Sequence, residues 1–134
     1  MIVGAVFAAL AAQSWRRWTD PLIDFGAELY VPWRLLEGDR LYAEIAYRNG
    51  PLSPFVNALW FQLFGVSMTT LVFCNLALLA LLCLLTWRLF APTGRLAQTL
   101  VCVTLLVGFG FANFTEIANY NWVTPYQHSQ THGV

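Results

Sequence analysis

Residues 20–51 read DPLIDFGAELYVPWRLLEGDRLYAEIAYRNGP, and this stretch decides how the rest of the chain is read. The 134-residue chain has seven arginines, no lysine and seven acids, and most of these charges fall here: Asp20, Asp24, Glu28, Arg34, Glu37, Asp39, Arg40, Glu44 and Arg48. Arg16 and Arg17 lie just upstream, and nearly everything else is apolar. A polar, aromatic-rich loop between membrane-grade segments is where any chemistry has to sit. Inside it, Phe25, Leu29, Trp33 and Leu36 recur at helical spacing, with Glu28, Arg34 and Glu37 off that stripe. Pro32 lacks an amide proton and crowds the preceding turn, so a kink or a late helix start is expected there. Gly38 ends this helix, and Asp39 is placed to cap a second one with Leu41, Tyr42, Ile45 and Ala46 on its apolar face. Asn49, Gly50 and Pro51 stop it. Two amphipathic helices rich in Trp and Tyr suit a membrane interface, where one side of the ring is dry and the other wet.

Composition supports that setting. The chain is 58% apolar and 10% charged, where a soluble domain carries roughly a quarter charged residues. Net charge is zero and no basic tract is present, which argues against nucleic acid as a partner. Cys74, Cys83 and Cys102 all lie in apolar runs without a CxxC spacing, so they read as packing residues rather than a disulfide framework or a zinc site.

Residues 1–15 hold an apolar core shorter than the roughly 20 residues of a full span. A cleaved signal peptide is the rival, but no positive segment precedes the apolar run, and a clipped first transmembrane helix is preferred. Residues 51–65 carry Ser53, Asn57 and Gln62 and read as an interfacial or re-entrant helix. Residues 67–90 are long enough to cross, with Asn75 turned toward protein because an unpaired amide in hydrocarbon is costly. Residues 96–114 cross back, with Gly108 and Gly110 thinning the helix for close packing. Residues 115–134 form a polar tail. The expected fold class is an all-α integral membrane protein, a single domain of about three transmembrane helices, interfacial juxtamembrane helices and one half-span. Loop 16–50 and the tail then share one side of a cell membrane, opposite residues 91–95. Arginine counts alone do not orient it, since both the short loop with Arg88 and Arg95 and the long loop with five arginines claim the inside.

Asp20 and Asp24, four apart, sit on one face if their segment is helical, within reach of a divalent ion or a proton-transfer partner. A cap and a solvated loop acid is the plainer alternative. Asp24-Phe25-Gly26 spells a kinase metal motif, but no companion motif is present. His128 and His132 have a spacing that suits zinc, without a glutamate at the metalloprotease position or a third ligand. Asn119, Tyr120, Asn121, Thr124, Tyr126 and His128 form a dense run of neutral donors and acceptors, suited to a sugar or a phosphate head group and equally to a plain interfacial loop. Asn113-Phe114-Thr115 matches a glycosylation sequon at a helix end.

DFGAELYVPWRLLEGDRLYAEIAYRNGPLSP followed by ALWFQLFGVS and a long span resembles the GT-C superfamily of membrane glycosyltransferases. More narrowly, it resembles bacterial members of the protein O-mannosyltransferase and lipid A aminoarabinose transferase type. The resemblance runs from about residue 10 to the end and rests on loose motifs: the acid after the first span, Gly50-Pro51-Leu52, and Leu63-Phe64-Gly65-Val66-Ser67. It implies an extracytoplasmic first loop, a polyprenyl-phosphate-linked sugar as donor, and contact with membrane lipids. It implies Asp24 as the catalytic acidic residue, with Asp20 in reserve, acting on the acceptor or holding a divalent metal. Arg34 and Arg48 are the expected phosphate ligands, and Asn119, Asn121, Tyr126 and His128 the expected substrate-binding residues. Because such enzymes have many more spans, the chain is expected to be an N-terminal fragment, inactive alone and partnered by further transmembrane segments of a longer parent. The rival from another class is a non-catalytic small multi-pass membrane protein, an accessory subunit or a transporter fragment.

Overall fold

The computed structural model describes residues 1–22, 25–112 and 120–133, and among them every regular element is helical. In order these are α1 (Ile2–Ser14), α2 (Gly26–Leu36), α3 (Leu52–Phe64), α4 (Met68–Leu89) and α5 (Arg95–Leu105), with a short α6 (Ser129–His132) in the tail. The 22-residue α4 is the spine. Ser67 starts it as a true N-cap, its hydroxyl accepting the Thr70 amide at 3.0 Å. At 1.5 Å per residue α4 is about 33 Å long, the thickness of a bilayer core. It is the one helix among the described residues that is long and apolar enough to cross a membrane. The expected first and third spans are shorter apolar helices, Ile2–Ser14 and Arg95–Gly110.

Those two helices pack against α4 and each other. Met1, Ile2 and Val3 share a cavity with Cys83, Trp87 and Arg95, while Trp15 meets Phe73 near the opposite end of α4. Thus α1 and α5 run alongside each other and opposite to α4. Their seam buries Val72, Leu79, Cys83 and Leu106, with Val6, Phe7 and Leu10 of α1 packed on it. The last turn of α5 opens into a π turn, Leu106–Gly110, closed by the Phe111 amide on the Leu106 carbonyl at 2.8 Å. Two polar side chains lock the α4–α5 crossing: Gln98 donates to the Trp87 carbonyl at 2.8 Å, and the Cys102 thiol approaches the Cys83 carbonyl at 3.6 Å.

Around the Ser67 end of α4 the loop, α3 and the tail close together. Helix α2 lies on α3, and α6 on the start of α3. Two expectations change here. α2 starts at Gly26 and continues past Pro32, and the residues it buries are Glu28, Val31 and Pro32, with Phe25 buried just before it. The stripe expected to lie on a membrane divides: Phe25 and Leu29 pack into the protein, while Trp33 and Leu36 are exposed beside Tyr30. The second amphipathic helix of the loop does not form. Glu44 folds back instead, its carboxylate accepting the Arg40 amide at 2.7 Å and pairing with the Arg40 guanidinium at 3.2 Å. Tyr42 takes φ 67°, outside the helical region, and Leu41 bridges to Ile45.

The two glycines of the π turn also part company. A Cβ on Gly110 would lie 2.8 Å from a methyl of the fully buried Leu79, whereas one on Gly108 meets nothing within 4 Å. Gly110→Ala is expected to destabilise the protein by about 1–3 kcal/mol through overpacking. Gly108→Ala should be neutral or stabilising by up to about 1 kcal/mol, because a helical glycine is replaced without a clash. Thermal unfolding in detergent measures both, and equal effects would refute the close α4–α5 crossing.

Candidate functional site: a buried carboxylate–imidazole pair

Glu28 stands in the first turn of α2, where the positive end of the helix dipole favours a carboxylate. Because α2 turns its Phe25–Glu28–Pro32 face inward, this carboxylate is carried into the protein, with 4% of the residue exposed. There it meets His128 of the tail, which is fully buried: Nδ1 lies 3.0 Å from Glu28 Oε2. The other ring nitrogen, Nε2, lies 2.9 Å from Asn75 Nδ2 on α4. That amide nitrogen also donates to the Val123 carbonyl at 3.0 Å. An amide N–H only donates, so Nε2 accepts, and the ring proton resides on Nδ1 and is donated to Glu28.

The tail is built to present His128. Asn121 Oδ1 accepts the amides of Val123 and Thr124 at 2.9 and 3.0 Å, forming the turn that aims the Val123 carbonyl at Asn75. The His128 carbonyl accepts the Thr131 and His132 amides, at 3.0 and 2.9 Å, and the Thr131 hydroxyl at 2.9 Å, which winds α6. Phe25 packs on one side of the imidazole and the His132 ring lies 5.7 Å away. His132 has both ring nitrogens enclosed without a hydrogen-bond partner. Burial, then the His128 ring beside it, hold His132 down at about 4, against a smaller opposing pull from Glu28. Tyr47 is also close by: burial, and after it the Glu28 carboxylate, push its phenol above the usual range.

The residues expected from sequence are distributed as follows. Asp24 and Asn119 lie outside the described residues. Asp20 is a turn residue, its Oδ1 accepting the Leu22 amide at 2.8 Å. Arg34 is engaged by Asp39, with Nε at 2.6 Å. Arg48 is exposed. Asn121 and Tyr126 share a cleft of about 320 Å³ with Phe109, Tyr120 and Trp122 at the π turn, where Asn121 already serves the turn. His128 is not in that cleft but in the buried pair. Two partners were missed. Glu28 was counted off the apolar stripe, although it stands three residues after Phe25 and four before Pro32, which is the face that docks. Asn75 was expected to face protein, but nothing local named its partner. No group of three His, Cys, Asp or Glu side chains is placed to hold a metal among the described residues.

Two further hollows flank the pair. An apolar groove of about 690 Å³ runs down α3 and α4 from Ser67, Thr69 and Thr70 to Leu81, walled by Trp60, Phe64 and Phe73. A smaller one, about 420 Å³, lies where Leu52, Ser53 and Phe55 face Ser129 and His132. No protein-family model, curated protein or solved structure matches this chain.

Removing one partner of a buried pair strands the other, so His128→Ala is expected to cost about 3–5 kcal/mol. Glu28→Gln keeps an oxygen for the Nδ1 proton and should cost less, about 1–3 kcal/mol. Chemical unfolding in detergent reads both, and a cost within experimental error for His128→Ala would show that the pair does not hold the tail.

Proposed function

We propose that the chain is a multi-pass protein of the cell membrane that serves sugar transfer from a polyprenyl-phosphate carrier at the extracytoplasmic face, as the N-terminal part of a GT-C-type glycosyltransferase. The observation that supports this most is the groove between α3 and α4. Its apolar walls suit an isoprenoid chain, and its hydroxyl-lined rim at Ser67, Thr69 and Thr70 lies at the end of α4 where the polar loop and tail gather. Of the loop motifs that resemble the family, Leu63-Phe64-Gly65-Val66-Ser67 runs into that rim. In this reading residues 1–15, 67–90 and 96–114 cross the membrane, α3 is the half-span, and Tyr30, Trp33 and Leu36 of α2 rest on the lipid. Asp24 takes the acidic role, on the acceptor or on a divalent metal, and Asp20 remains a turn residue. Arg48 meets the donor phosphate, since Arg34 is held by Asp39. The Asn121–Tyr126 cleft offers hydrogen bonds to a sugar.

A second reading, a non-catalytic membrane protein that packs against partners, is favoured by one fact: Glu28, Arg34, Asp39, Arg40 and Glu44 are all spent on internal pairs. Binding of polyprenyl phosphate to the chain in lipid nanodiscs separates the two. The transferase reading expects saturable binding, roughly 10-fold weaker in Arg48→Ala on loss of a charge-assisted contact, and little binding of the unphosphorylated prenol. Absence of saturable binding would leave the non-catalytic reading. Reporter fusions after Gly50 and Gln127 should report the extracytoplasmic side and one after Thr93 the cytoplasm; opposite sides for Gly50 and Gln127 would defeat the half-span.

A further inference from the structure

Two imidazoles crowd one buried carboxylate in the tail. His128 takes Glu28 and Asn75 with its two nitrogens and leaves neither for its neighbour. His132, one helical turn on, is enclosed against the start of α3 with both nitrogens unpartnered. A neutral ring bears that placement at a modest cost, but a charged one does not, because an unpaired ion loses its hydration with nothing in return. We propose that the tail, residues 120–133, is a proton-operated latch, docked at neutral pH through His128 on Glu28 and Asn75, and released when His132 takes up a proton.

The groups facing His132 are few. His128 on its own segment and Glu28 on α2 are the ionisable groups beside it. Tyr47, beside Glu28, stays neutral across the range. Leu52, Ser53 and Phe55 of α3 and Asn75 of α4 carry no charge, and the chain end after Gly133 lies outside the described residues. The sign follows from linkage. A histidine in water titrates near 6.5, while the docked ring is held at about 4. The released tail therefore binds the proton more tightly, so docking is fully favoured above pH 6.5 and is lost progressively as pH falls from there toward 4. One proton across that interval weakens docking up to ~300-fold. Release frees the far wall of the 420 Å³ hollow, Ser129 and His132, from α3. The latch does not depend on the transferase reading.

Amide hydrogen exchange on the chain in nanodiscs, corrected for the intrinsic pH dependence of exchange, tests it. Protection of residues 122–131 is expected to fall up to ~300-fold between pH 7.5 and 4, while residues 76–85 of α4 hold. His132→Phe, which keeps a ring and removes the proton site, should retain protection into acid. His128→Asn should lose it at every pH. Unchanged protection in the wild-type chain, or the same acid loss in His132→Phe, would overturn the latch. If His132→Phe does not fold, ring NMR of the wild-type chain decides: titration of His132 near 6.5 refutes the latch and titration near 4 supports it.

Discussion

The hydrogen bond between the Glu28 carboxylate and the His128 imidazole is the constraint to which this end of the molecule answers. A carboxylate removed from water is costly unless its charge is met at close range. Here one oxygen meets it through Nδ1–H, and the pairing propagates outward. Nε2 must then accept, which calls for a donor, and Asn75 supplies it. Asn75 in turn steadies the Val123 carbonyl, which the Asn121 turn has aimed. Helices α2 and α4 and the tail are thereby fixed in a single register across sequence separations of 53 and 100 residues. Slipping the tail by one residue would leave three buried polar groups unpaired.

The depth of this pair shapes the membrane reading. Asn75 lies eight residues beyond the Ser67 cap, about 12 Å along the axis of α4. If α4 crosses a bilayer, irregular backbone of the tail reaches that far into the protein, where it is tolerated only because the protein itself satisfies it. The loop and tail meet at the Ser67 end, while α1 begins near Cys83, Trp87 and Arg95 at the other. Along the helices leucines face outward: Phe73, Leu81, Leu84 and Leu85 of α4, Leu96 and Leu100 of α5, and Val107 of the π turn are all exposed. Leucines outside and the Asn75 and Gln98 amides inside weigh in the same direction as the length and apolarity of α4, the one described helix able to cross a membrane.

The same contrast explains α2. Its outward face carries Tyr30 and Trp33 in an edge-to-face contact, closed by Arg34 on Asp39, while its inward face carries the charged group. The helix is amphipathic in the inverted sense, with an acid in the core and aromatics at the surface. That inversion depends on His128 meeting Glu28 in the interior.

Much was legible from residues alone where the signal is local. The long apolar run of 67–90 marked α4, and Gly38 the end of α2, because helix propensity and chain breaking act over a few residues. The turn role of Asp20 follows from Pro21 beside it. Local signals failed where two local options compete at similar cost. Residues 39–48 carry both a helical apolar pattern and an Arg40–Glu44 pair that closes a tight turn, and the turn won. The stripe of α2 divided for a different reason: spacing identifies which residues share a face, but not how much of that face a neighbouring helix covers. Only tertiary structure brought Glu28, Asn75, His128 and His132 together, since no periodicity or spacing encodes a meeting across 100 residues. The sequence determined the helices; the choice of which buried charge they would neutralise, and with what, was made by packing.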